Sequence, residues 1–153
     1  EPGKGELPGN LAGGIDWQFL ALGRPAFMVE LGIAQRWQQD CVDRAVSGFH
    51  SLAGRLGMLA GDVPAPARTV RQVVRRAQVT CTHGGLFRPL RKPGDIVRAG
   101  EAHGEIMNLY GDVVETVTLP EDSIIIGIRS EPVVHTGDRT VFVGYGWTDA
   151  SVG

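Results

Sequence analysis

The sequence lacks the features that mark several classes of protein. It has only two cysteines, Cys41 and Cys81, and these lie too far apart for a disulfide framework or a CxxC metal motif. No apolar run reaches the roughly 18 residues of a transmembrane helix. With 15 Lys+Arg against 17 Asp+Glu, the net charge of -2 leaves no basic field for a nucleic acid. We therefore expect two reduced thiols in a cytoplasmic protein, with no nucleic-acid and no membrane partner.

Familiar catalytic motifs are also missing. The sequence contains no Gly-x-Ser-x-Gly, no Walker loop and no dinucleotide-binding fingerprint. Four histidines are scattered along the chain, and none forms an HxxH, HxxxH or HxxE pair. His103 and Glu105 are two residues apart on a predicted strand, so they should face the same side. Two ligands do not hold a zinc ion, and we predict no metal site within this chain.

Glycine is abundant, at 22 of 153 residues, and 42% of the residues are hydrophobic. This composition predicts one domain, or one domain and a piece of another, with many turns and short strands. Residues 1–61 form a first segment. In it, the apolar run at residues 26–29 predicts a short buried strand, and apolar residues spaced three and four apart predict a helix over residues 37–59.

A Pro-rich linker at residues 62–68 separates this segment from a β-domain at residues 69–147, which a tail at residues 148–153 follows. Turn signals recur every eight to twelve residues and predict a small sandwich or barrel. Two Gly-Asp steps, at Gly94 and Gly137, look like corresponding turns of a pseudo-repeat. Strands are expected at residues 78–82, 85–88, 105–109, 113–119, 123–128 and 140–145.

Glu30 is the most unusual residue of the first segment. It ends the apolar run and precedes Leu31-Gly32. A carboxylate at the end of a buried strand is costly unless it is paired, capping or functional. From the residues alone, a structural role is favoured, either as a cap of the next helix or in an ion pair with Arg24 or Arg36.

Five segments, in order along the chain, resemble the succinylglutamate desuccinylase/aspartoacylase family of zinc-dependent deacylases. The first corresponds to the family's G-x-P-x-x-T-x-E-x-G motif, although Met28 stands where the family usually has threonine. The resemblance implies an α/β fragment, the end of a zinc-carboxypeptidase-like domain, followed by a small all-β domain with a biotinyl/lipoyl-like barrel. The matching segments are GRPAFMVELG at 23–32, LGMLAG at 56–61, GGLFRP at 84–89, PGDIVRAGE at 93–101 and GEI at 104–106.

The resemblance also implies a function for Glu30. In this family the glutamate of the motif is the general base that acts on a zinc-bound water, and it later passes the proton to the leaving amine. The family's zinc ligands, an H-x-x-E pair and a later histidine, precede this motif, whereas no histidine here precedes His50. The implied function is thus the C-terminal portion of a zinc amidohydrolase for small N-acyl amino acids. The zinc ligands are expected upstream, and a homo-oligomer is possible.

Two other functions were considered. A biotinyl/lipoyl-type carrier needs a lysine on an exposed hairpin, usually between methionines. The two lysines, Lys4 and Lys92, do not lie in such a setting, which excludes the carrier. A non-catalytic β-domain that serves assembly or binding remains the alternative.

Overall fold

The computed structural model describes residues 13–61 and 69–151. Its helices precede its strands along the chain. The predicted linker at residues 62–68 lies outside the described residues. The elements are α1 (Ile15–Ala21), α2 (Gln39–Arg55), β1 (Thr69–Thr80), β2 (Gly85–Pro89), β3 (Ile96–Val97), β4 (Ala102–Met107), β5 (Val113–Thr118), β6 (Ser123–Ile128), β7 (Val133–Val134) and β8 (Arg139–Ser151).

The strands form two antiparallel four-stranded sheets. The first sheet has the order β1-β8-β6-β3, and the second has the order β5-β4-β2-β7. The expected closed barrel is not confirmed, because the strands pair within two separate sheets. Strand β1 begins at the predicted boundary, Thr69. The predicted tail from residue 148 is wrong, because β8 continues to Ser151 and pairs there with Thr69.

The core of the β-part, residues 69–151, consists of two clusters of buried apolar side chains. One cluster comes mainly from the first sheet and the other mainly from the second. Val79 and Ile128 pack against both clusters and join them into a continuous core. The first cluster contains Val97, Leu119, Ile125, Val141, Val143 and Tyr145, and the second contains Cys81, Phe87, Ile106, Val117 and Val134.

Three turns of the β-part, at residues 92–95, 98–101 and 135–138, share one design. In each, the third residue is a glycine with φ between 80° and 92°, a region that favours glycine. The amide of the fourth residue donates to the carbonyl of the first at 2.9–3.1 Å. The acidic side chain of the fourth residue accepts the first residue's amide at 2.9–3.0 Å. The predicted correspondence between the two Gly-Asp turns is therefore confirmed.

Helix α2 confirms the helix predicted at residues 37–59, although it is shorter at both ends. Gly57, with φ of 70°, ends it, and the amide of Met58 donates to the carbonyl of Ala53 at 2.9 Å. This is the usual left-handed helix terminus. Its apolar stripe is largely uncovered, and Ala53 is the one buried residue of the helix.

The buried strand predicted at residues 26–29 is wrong. The segment has no regular secondary structure, and Phe27, Met28 and Val29 are 57–69% exposed. A strand exists only when neighbouring strands bond its amides and carbonyls, and residues 13–61 contain no other strand. The apolar run is real, but within the described chain nothing pairs with it.

Glycine at position 104 is required by close packing. A Cβ there would overlap the edge of the buried ring of Phe87, 2.7 Å from Cζ, and would lie 3.2 Å from the carbonyl oxygen of Arg88. We expect Gly104→Ala to destabilise the protein by roughly 1–3 kcal/mol, the usual cost of overpacking. Gly127→Ala is the matched control, since the nearest atom, Cβ of Phe142, is 4.0 Å away. Urea unfolding of both variants measures the difference, and equal midpoints would contradict this account.

The exposed apolar side chains of residues 13–61 predict self-association. Trp37 is 81% exposed and Phe49 is 67% exposed, and contiguous apolar surface of this kind marks an interface or an aggregation site. Light scattering should show a mass that rises with concentration, and Phe49→Gln should reduce the rise. Leu109→Gln, at an 89% exposed position of the β-part, should leave it unchanged. A monomer at high concentration would count against the prediction.

Candidate functional site

Glu30 lies on an exposed stretch between the two helices. It has no regular secondary structure around it, and its side chain is exposed. Among the described residues it accepts no hydrogen bond, and the ion pairs considered with Arg24 and Arg36 do not form. It does not cap α2 either, since the N-cap residue Gln38 has no side-chain cap bond. The structural functions considered for this carboxylate are therefore wrong for this structure.

The turn that follows Glu30 is held by the side chain of Gln38. Its Nε2 donates to the carbonyl of Ile33 at 2.8 Å. A Cβ at Gly32 would lie 2.8 Å from the same nitrogen, and Gly32 has φ of 71°. The backbone conformation favours glycine here, whereas the side chain of Gln38 could shift to make room for a Cβ. The Gly32 turn fixes the path of the chain between Glu30 and α2.

Helix α2 carries an open groove of about 460 Å³ on one side. Asp43, Ser47 and His50 line it, at positions that share one helix face, and the chain at residues 59–61 closes one side. Gln39 donates to Oδ1 of Asp43 at 2.7 Å. No hydrogen bond among Asp43, Ser47 and His50 is found in the described part of the chain, so their side chains do not form a catalytic relay.

His103 and Glu105 do not face the same side. The pairing of β4 with β5 runs from Ala102 opposite Thr118 to Gly104 opposite Val117, so His103 is the extra residue of a β-bulge. A bulge re-aims side chains relative to simple alternation. His103 is fully buried, whereas Glu105 forms an ion pair with Arg88 at the surface.

One polar cluster of the β-part escaped the sequence analysis, and Glu115 is its centre. Its Oε2 accepts the backbone amides of Thr82 and His83, each at 2.8 Å, and lies 3.3 Å from Nδ1 of His83. Its Oε1 also accepts the amide of Thr82, at 3.1 Å. Burial alone would raise the pKa of Glu115, but the hydrogen bonds together lower it. In the sequence, the only indication of this cluster is a glutamate among the β-branched residues of Val113–Thr118. Since both oxygens are engaged, Glu115 fixes the loop that leads into β2.

The two cysteines are free, as expected. Cys81 is buried, and its Sγ donates to the carbonyl of His135 at 3.3 Å. Burial, followed by the negative charge of Glu115, raises the pKa of its thiol. A protonated, buried thiol is a poor nucleophile and a poor metal ligand. Cys81 is thus a core residue.

The residues present do not fit a zinc ion. Over residues 13–61 and 69–151, no three His, Cys, Asp or Glu side chains converge on one point. A zinc site needs three or four such ligands. Among the same residues, no helix is both long and apolar enough to cross a bilayer.

Comparison with known proteins gives matches in structure alone. No family model matches the sequence, and no curated protein matches it. A succinylglutamate desuccinylase from Silicibacter sp. TM1040 has a TM-score of 0.74 at 16% identity, over 83% of this chain and 40% of that chain. The succinylglutamate desuccinylase/aspartoacylase from Rhodobacter sphaeroides has a TM-score of 0.66 at 24% identity, over 85% of this chain and 43% of that chain.

A third structure is the ectoine utilization protein EutE (DoeB) from Ruegeria pomeroyi, in a product-bound state. It has a TM-score of 0.71 at 17% identity, over 86% of this chain and 41% of that chain. The chain therefore spans less than half the length of each of these three proteins. The resemblance seen in the sequence is confirmed at the level of the fold: the chain shares its architecture with part of the solved structures of the succinylglutamate desuccinylase/aspartoacylase family.

Proposed function

We propose that the chain is the C-terminal portion of a zinc-dependent amidohydrolase that acts on a small N-acyl amino acid in the cytoplasm. The observation that supports this most is the fold shared with the Silicibacter desuccinylase over 83% of the chain. The order of five motif-like segments along the sequence supports the same proposal. Net charge and the two free thiols agree with a cytoplasmic enzyme that has neither nucleic acid nor membrane as its partner.

In this proposal Glu30 is the general base. It removes a proton from the attacking water and then passes that proton to the leaving amine, so one carboxylate serves both halves of the reaction. Two observations support the assignment. The side chain of Glu30 is exposed and unpaired within the described residues, and the Gly32 turn fixes the chain beside it. A base must be accessible and held in place.

The zinc ion must be held by residues outside this chain. The described residues do not supply a ligand set, so we derive no step of the reaction through the metal. In the proposal an H-x-x-E pair and a later histidine upstream provide the ligands. The arginines that bind the substrate carboxylate in the family are placed mainly upstream as well.

The alternative is a non-catalytic module that serves assembly or binding. The location of the buried apolar side chains favours it. Ala53 is the one buried apolar residue among residues 13–61, whereas the β-part contains two clusters of buried apolar side chains. The upstream sequence separates the two functions. An H-x-x-E motif ahead of this chain favours the enzyme, and its absence favours the module.

The isolated chain should hold no zinc tightly, because no three ligands converge among residues 13–61 and 69–151. Elemental analysis after dialysis against metal-free buffer measures this. One zinc per chain that survives dialysis would overturn the expectation. His103→Leu and Glu105→Gln would then show whether the ion is bound at that pair.

The general base is tested in the complete enzyme by Glu30→Gln, which keeps the size of the side chain and removes its basicity. We expect kcat to fall by about 10²–10⁴, with little change in KM. Zinc content and melting temperature should not change, because Glu30 is neither a ligand nor part of a buried network.

Asp40→Asn is the matched control for this variant. Asp40 is another exposed carboxylate, at the start of α2, and has no proposed function. It should keep full turnover. A folded, zinc-loaded Glu30→Gln enzyme with near-normal kcat would defeat the assignment.

A further inference from the structure

His103 lies between the two sheets of the β-part and is fully buried. The bulge in β4 turns it toward the interior. No part of the proposed reaction uses this imidazole. A histidine is rarely placed in such a core without consequence, because its charged form is strongly disfavoured there.

A chain of hydrogen bonds runs from His103 across the sheets. The hydroxyl of Thr140 donates to the carbonyl of Val79 at 3.1 Å. Because its hydrogen is engaged there, the hydroxyl oxygen can act only as an acceptor in its contact with Nε2 of His103, 3.4 Å away. His103 belongs to β4 of the second sheet, whereas Thr140 and Val79 belong to β8 and β1 of the first. The neutral imidazole with its proton on Nε2 thus links the two sheets.

The other nitrogen of the ring has no partner. Nδ1 of His103 is buried and makes no hydrogen bond within the described residues. As a lone pair it is an unsatisfied acceptor, but as an N–H group with a positive charge it would be a buried charged donor without an acceptor, which costs more. Protonation is thus opposed by the same geometry that favours the neutral ring.

The charged groups of the surrounding strands do not offset this. Glu105 of β4 is paired with Arg88 of β2, and Glu115 of β5 is bonded to the Thr82–His83 amides. Arg139, next to Thr140 on β8, is exposed. Strand β1 takes part in the chain of hydrogen bonds through the uncharged carbonyl of Val79. Burial is accordingly the cause that lowers the pKa of His103 to about 4.

We propose that His103 is an acid-sensitive link between the two sheets: the neutral ring joins them, and uptake of a proton on Nδ1 shifts the equilibrium toward an opened form of the β-part. The opened form exposes the apolar clusters that the sheets cover at neutral pH. The device is independent of the proposed hydrolase activity, because it depends only on residues of the β-part.

The direction of the effect follows from linkage. A histidine in the unfolded chain takes up a proton near pH 6.5, whereas the folded chain resists until about pH 4. The contribution of the neutral His103 to stability is therefore present above pH 6.5 and is lost as the pH drops toward 4. For these two pKa values the unfolding equilibrium constant rises about twentyfold between pH 7 and pH 5.

The test is urea unfolding of the full chain at pH 7, 6 and 5, monitored through the circular dichroism signal of the β-sheets. The unfolding equilibrium constant of wild type should rise about twentyfold between pH 7 and pH 5. That of His103→Leu should change very little, because leucine fills a similar volume and cannot titrate. His135→Gln is the matched control, since His135 is exposed and should leave the wild-type pH dependence intact. Thr140→Val should lower stability at pH 7 while it keeps the acid response.

A second measurement does not depend on a folded variant. Nitrogen-15 spectra of wild-type imidazoles report the tautomer and charge of each ring directly. His103 should keep its proton on Nε2 and stay neutral in the folded form down to pH 5. A His103 ring that becomes charged near pH 6.5 while the protein stays folded, or a His103→Leu variant as acid-sensitive as wild type, would overturn the proposal.

Discussion

The packing of the two sheets on one another is the constraint on which the rest of the β-part depends. Each sheet supplies its own apolar cluster, and Val79 and Ile128 of the first sheet reach both. The burial of His103 follows from this packing. The requirement for glycine at position 104 has a different origin, because Phe87 lies on the neighbouring strand β2 of the same sheet. The turns only have to reverse the direction of the chain. Three of them, at residues 92–95, 98–101 and 135–138, use the same combination of a glycine followed by an acidic residue.

Residues 13–61 are organised on another principle. Their helices are formed and properly terminated, yet their apolar faces stay exposed. Helices need only local hydrogen bonds, so they can form without neighbours. A parallel or central strand cannot, because every amide and carbonyl on both edges requires another chain segment. This difference explains why helix α2 is present while the run at residues 26–29 is not a strand.

The same reasoning shows how far the sequence could be interpreted. Alternation and turn residues predicted β2, β5 and β6, because each depends on local pattern, whereas the first expected strand, residues 78–82, covers only the end of β1. The bulge at His103 could not be predicted, since a single extra residue leaves no mark on the alternation of the strand. The interactions of Glu115 were missed because its partners, the amides of Thr82 and His83, are over 30 residues away. Glu30 was recognised through resemblance to a family, and its exposure in the structure was not expected.

The pairing of Thr69 with Ser151 has a consequence for how this unit relates to its surroundings. The first and last strands of the β-part, β1 and β8, are hydrogen-bonded neighbours, so the chain enters and leaves within about 5 Å, the spacing of adjacent strands. A unit with adjacent ends can be inserted into a surface loop of another domain, because the host needs no gap wider than an ordinary turn. The β-part thus has the adjacent termini of a domain that can be inserted into another one without a large change in the surrounding backbone.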